Sequence, residues 1–159
     1  METPSLVRPL VPLTSAVALV YLVIGVALPV LPLHVKHELG LGGLEVGLVA
    51  GAPFAVAIVT RALAGRFADR RGPARGVAVG LVLTALSGGL YLFSLAFDDV
   101  TLALAALLLG RGLLGAGESF VMTGALARGV ALAGPLRTGQ VMAWIGTAVY
   151  AAMGLGAPV

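Results

Sequence analysis

Residues 9–33 read PLVPLTSAVALVYLVIGVALPVLPL, 25 consecutive positions without a charge. A helix needs ~20 mainly apolar residues to cross ~30 Å of hydrocarbon, so a first membrane span is expected at about 13–33. A secretory signal has an apolar region of only ~7–15 residues before a small-residue cleavage site. This run is longer, and Pro29 and Pro32 stand near its end, so it reads as a retained helix. Four more runs follow, at about 44–64, 76–97, 101–127 and 138–159. The second is interrupted by Arg61, and the fourth contains Arg111 and Glu118. Membrane β-barrels show ~10-residue segments of alternating polarity, whereas these runs are twice as long and continuous. The expected class is an all-α integral membrane protein with five transmembrane helices.

Composition agrees. Of 159 residues, 59% are hydrophobic and 11% charged, with a mean hydropathy of +1.06. A soluble domain is roughly 45–50% apolar and about 25% charged. So little charge argues against a soluble enzyme, a nucleic-acid-binding module or a disordered tail. Glycine occurs 23 times, and glycine and proline are commoner in membrane helices than in soluble ones. The absence of cysteine removes disulfides, thiol catalysis and thiolate metal sites. His34 and His37 are a turn apart but have no further ligand nearby, so no metal and no cofactor are expected. Nor does a hydrolytic triad, nucleotide loop or redox motif appear, so enzyme activity is not expected.

The net charge of +3 reports topology. Lys and Arg are retained on the cytoplasmic side of short loops. Arg8 precedes the first run; Arg66, Arg70, Arg71 and Arg75 lie between the second and third; Arg128 and Arg137 lie between the fourth and fifth. The opposite loops hold Lys36 and the acids Asp98 and Asp99. A cytoplasmic amino terminus follows, in a plasma membrane of the bacterial inner-membrane type.

Between the second and third runs stands Gly65-Arg66-Phe67-Ala68-Asp69-Arg70-Arg71-Gly72-Pro73-Ala74-Arg75. It resembles the loop motif G-x-x-x-D-R-x-G-x-[RK]-x of the major facilitator superfamily, with Gly65, Asp69, Arg70 and Gly72 in place. Pro73 and Ala74 depart from it, and the basic Arg75 comes late. Arg111 to Gly117 in the fourth run is similar to the superfamily's R-x-x-x-G-x-G motif. Gly146 to Pro158 is similar to the glycine- and proline-rich fifth helix of its proton-coupled exporters. The wording around Gly117-Glu118-Ser119-Phe120 and from Tyr150 to Pro158 looks like a poorly characterised bacterial inner-membrane subgroup near sugar and drug exporters. Members of the superfamily have two six-helix halves built from nested three-helix repeats. The resemblance therefore implies an amino-terminal portion, residues 1–159, lacking a sixth helix and the carboxy-terminal half.

Several residues are candidates for function. A central Arg in a span costs at least ~2.5–3.5 kcal/mol on insertion scales and faces a cavity or a partner. Arg111 is either a substrate anchor or participant in proton coupling, as the resemblance implies, or a hub bonding a neighbouring helix's carbonyls. Glu118, two turns on, shares its face and is expected in the same cavity. Burial disfavours the charged form of a carboxyl, which suits a proton site; an ion pair with a basic residue on another helix is the alternative. Asp69 and Arg70, with Gly65, Gly72 and Arg75, form the cytoplasmic gate that the resemblance implies, or an inside-retention signal. Arg61 is read as snorkelling to the inner surface. Gln140, Trp144 and Thr147 share one face of the fifth helix and are cavity-lining candidates, as is Tyr21; Trp144 also suits an interfacial belt. Gly110, Gly112, Gly115 and Gly117 are read as permitting close helix packing.

The expected function is secondary active transport of a small solute by alternating access, coupled to protons and directed toward efflux or exchange. The rival is a non-transporting membrane fragment or an assembly partner for a second polypeptide.

Overall fold

The computed structural model describes residues 7–157. It holds five α-helices: α1 Val7–His37, α2 Gly43–Arg71, α3 Pro73–Ser94, α4 Val100–Ala133 and α5 Thr138–Gly156. A short 3-10 turn, Pro135–Arg137, precedes α5. No strand occurs among the described residues. Pro158 and Val159, where the fifth run and its motif end, lie outside them.

Helices α1 to α4 are each long and apolar enough to cross a membrane. The 19-residue α5 is about 28 Å long at the helical rise, and Gln140, Trp144 and Tyr150 lower its hydropathy. Its place in the bundle comes from packing along α1 and against α4.

The helices outrun the apolar segments, and the connections shrink accordingly. Gly65 to Arg75 is read from the sequence as a loop, but α2 continues to Arg71 and α3 begins at Pro73. Polar Arg66 to Arg71 carries the helix on beyond its apolar stretch. The break is Gly72 alone, at φ 92°, a conformation that a side chain strains. Pro73 then opens α3, where its missing N–H leaves no intrahelical bond unmade. Similarly, α4 runs on to Ala133 before Gly134 turns the chain. At the other end of α4, the Asp99 carboxylate accepts from the Thr101 and Leu102 amides at 2.8 and 3.0 Å, satisfying two of the amides a helix start leaves open.

Helix α4 is the axis and touches all the others. α3 runs antiparallel to it, with Gly80 against Gly117 at mid-span and Pro73 against Gly124 near the end. α2 runs parallel to it, and α1 antiparallel, from Leu10 beside Gly129 to Tyr21 beside Glu118. Val17, Val20, Val77, Leu114, Val121 and Ile145 fill the core between α1, α3, α4 and α5. This order puts Arg8, Arg66, Arg70, Arg71, Arg75, Arg128 and Arg137 at one end of the bundle, and Lys36, Asp98 and Asp99 at the other.

Candidate functional site

Three ionisable or polar side chains from three helices meet midway along α4. Tyr21 Oη of α1 donates to Glu118 Oε1 at 2.7 Å. Arg61 Nη2 of α2 donates to Oε1 at 3.3 Å and to Oε2 at 3.4 Å. The Glu118 side chain is 10% exposed and that of Arg61 is 61% exposed; the acid sits inside and the base reaches inward from the rim. They stand in a cavity of about 410 Å³ between α1, α2, α4 and α5, whose other walls include Ile24, Phe54, Ile58 and Met153.

The neighbouring residue fixes the frame. Ser119 is fully buried; its hydroxyl donates to the Ala57 carbonyl of α2 at 3.1 Å and accepts from Thr60 Oγ1 at 3.2 Å. This bond holds α2 against α4 one turn before Arg61, so the guanidinium and Glu118 meet at a set height.

Arg111 lies elsewhere. It is 1% exposed, and its Nε donates to the Val49 carbonyl at 2.8 Å and its Nη2 to the Ala50 carbonyl at 3.1 Å. The reason is four residues further along α2. Pro53 has no N–H, so the carbonyl of Val49, its partner in a regular helix, has no intrahelical donor. Arg111 supplies the missing one. One turn on in α4, Gly115 completes the fit: a Cβ there would fall on the Pro53 carbonyl. The R-x-x-x-G spacing thus matches one proline on the neighbouring helix. Arg111 and Glu118 are therefore not brought into one cavity, contrary to expectation, although both bond to α2.

Arg61 also departs from its sequence reading: it turns to Glu118 and not to the bundle end. The signal was present, since an acid and a base within two different spans each need a partner. Gln140, Trp144 and Thr147 are all exposed, on the side of α5 away from α1; α5 reaches the cavity through Met153 instead. Gly65, Asp69 and Arg70 fall on the last turns of α2, Gly72 is the joint, and Arg75 lies in the first turn of α3. Asp69, Arg70 and Arg75 are exposed, and Asp69 has no ion pair among the described residues. Of the α4 glycines, a Cβ at Gly110, Gly115 or Gly117 would collide with α2 or α3, while Gly112 has room.

A second cavity, about 420 Å³, opens between α1, α3 and α4. Leu22, Val26, Val30, Leu92 and Leu95 line it, and it contains none of the charged groups described above.

The family model of the Major Facilitator Superfamily matches residues 13–159. The chain belongs to the major facilitator superfamily. It is similar to an uncharacterized MFS-type transporter of Salmonella typhimurium, 45% identical over 148 residues. That match covers 92% of this chain and 38% of the relative. It is also similar to uncharacterized MFS-type transporters of Burkholderia mallei and Burkholderia pseudomallei. Each of these is 39% identical over 151 residues, covering 94% of this chain and 37% of the relative. The chain thus spans a little over a third of the length of these relatives. No solved structure matches it. Membership of this superfamily, together with the apolar helices, makes the chain a multi-pass membrane protein of a transporter family.

Proposed function

We propose that this chain supplies the amino-terminal helices of a secondary transporter that moves a small solute by alternating access, coupled to protons. The single observation that carries this reading is the Tyr21–Glu118–Arg61 cluster in its cavity. In folds built of repeats, solute and ion sites lie where repeats meet. Here α1 and α2 belong to the first three-helix unit and α4 and α5 to the second, and the cavity lies between the two. A carboxylate there can take a proton, lose its attraction for Arg61 and so loosen one tie between α2 and α4. The relatives' length supports a further part of the protein that closes the cavity from the other side.

The sided distribution of arginines supports a cytoplasmic amino terminus in a bacterial inner membrane. Asp69 and Arg70 then stand at the cytoplasmic end of α2, the helix that carries Arg61, and are assigned to the gate with Gly65, Gly72 and Arg75. The exposed face of α5 with Gln140, Trp144 and Thr147 is assigned to the pathway wall toward the rest of the protein. Arg111 is assigned to holding α2 at Pro53 and not to solute or proton.

The test is Glu118→Gln in the complete protein, reconstituted in vesicles. Proton-driven transport is expected to be lost while expression and folding persist. A variant with unchanged pH dependence of transport removes Glu118 from the coupling role.

A further inference from the structure

Arg61 is the member of the cluster that reaches outward from the described helices, and most of its donors have no hydrogen bond among the described residues. A guanidinium carries five N–H groups in a planar fork. Here Nη2 points at Glu118, while Nε and Nη1 have no hydrogen bond among the described residues. Around it the cavity wall is apolar, with Ile24, Phe54, Ile58 and Met153. Glu118 is the reverse: nearly covered, with Oε1 already accepting from Tyr21. A cation would have to displace Arg61 to reach the acid, whereas an anion meets the guanidinium first.

We infer that the cavity takes a small solute with one carboxylate and an apolar body, the carboxylate on Arg61, and that this solute binds together with a proton on Glu118. The inference rests on the proposal that Glu118 carries the proton. The charged Glu118 carboxylate bonds Nη2 and offsets the guanidinium's charge, so it opposes a solute carboxylate on the remaining N–H groups. Protonation neutralises Glu118, and the guanidinium then meets the solute carboxylate with its full charge and a bidentate fork. Linkage makes the effect mutual: the proton tightens the solute and the solute tightens the proton.

The groups facing Glu118 leave it as the acid of the set. α1 brings Tyr21 and α2 brings Arg61; Tyr150 of α5 is exposed. α3 meets this part of α4 through Gly80 and Thr84, neither of which titrates.

The experiment is equilibrium binding of labelled phenylacetate to the purified complete protein at about pH 5.5 and about pH 8, beside phenylacetamide and benzyltrimethylammonium. Phenylacetate is expected to bind about tenfold tighter at the lower pH, a difference of about 1.4 kcal/mol, with the amide and the ammonium weak at both. Glu118→Gln is expected to bind phenylacetate tightly at both pH values. Arg61→Lys, which keeps the charge but not the fork, is expected to bind it about tenfold more weakly. Preference for the ammonium, equal binding of acid and amide, no phenylacetate binding by folded wild type, or an unchanged pH dependence in Glu118→Gln overturns the inference. Flux separates it from the transport proposal. Tight, pH-linked anion binding without any coupled proton movement sinks that proposal alone; proton-coupled flux of the ammonium sinks this inference alone.

Discussion

Arg61 and Arg111 both cross the seam between α2 and α4, in opposite directions and to different kinds of partner. Arg111 reaches from α4 to backbone carbonyls of α2 and is sealed from solvent. Arg61 reaches from α2 to a carboxylate of α4 and stays largely exposed. A carbonyl has no proton to gain in the accessible pH range, so the Arg111 bonds do not switch. A carboxylate does, so the Arg61 bond can. In the proposed function the seam is therefore pinned at Val49 and Ala50 and releasable three turns away at Arg61. The proposed division of roles thus follows the chemistry of each arginine's partner and not its depth in the span.

The largest expected effect falls on the pinned end. Arg111→Leu should destabilise the protein by more than about 2 kcal/mol, since a buried acceptor left unsatisfied costs about 1–3 kcal/mol and the side chain's packing is lost as well. Unfolding in detergent measures it. In a Pro53→Ala background, residue 53 regains an N–H for the Val49 carbonyl, and the same substitution should cost about 1 kcal/mol less. Equal costs in both backgrounds would break the link between Arg111 and Pro53. Next comes Gly115→Ala, whose Cβ falls on the Pro53 carbonyl; overpacking of this kind costs about 1–3 kcal/mol.

Effects at the releasable end should be smaller on stability and larger on activity. Tyr21→Phe removes one hydrogen bond to Glu118, about 1 kcal/mol, and should alter the pH dependence of solute binding. Arg61→Leu leaves the nearly covered Glu118 without its cation, so it should shift unfolding by less than about 1 kcal/mol only at acidic pH, where a proton takes the guanidinium's place, and should remove solute binding. A loss of stability matching that of Arg111→Leu would erase the distinction between the two ends.

The five apolar runs are legible in the sequence because each exceeds the length a bilayer demands, and the sorting of arginines by connection groups them at one end of the bundle. The shortness of the connection at Gly72 is not legible, because Arg66 to Arg71 suits a polar loop as well as a helix end. Tyr21 and Glu118 are identifiable one at a time. Their union with Arg61 is not, since an arginine near a helix end snorkels or pairs according to what packs beside it. The Arg111–Pro53 match is the least visible of all. It requires the register of 62 residues between α4 and α2 that sets Arg111 on Val49 and Ser119 on Ala57, and no local pattern encodes that offset. For α5, helical period groups Gln140, Trp144 and Thr147 on one face but does not say which way that face turns.

The most direct test of the division between the two arginines is transport by the double variant Pro53→Ala, Arg111→Met in reconstituted vesicles. With the Val49 carbonyl bonded within its own helix, Arg111 has no remaining task in this account. Solute-linked proton movement is expected to persist with the pH dependence of the wild type. A folded double variant that no longer moves protons with its solute would place Arg111 in the transport pathway and contradict the assignment.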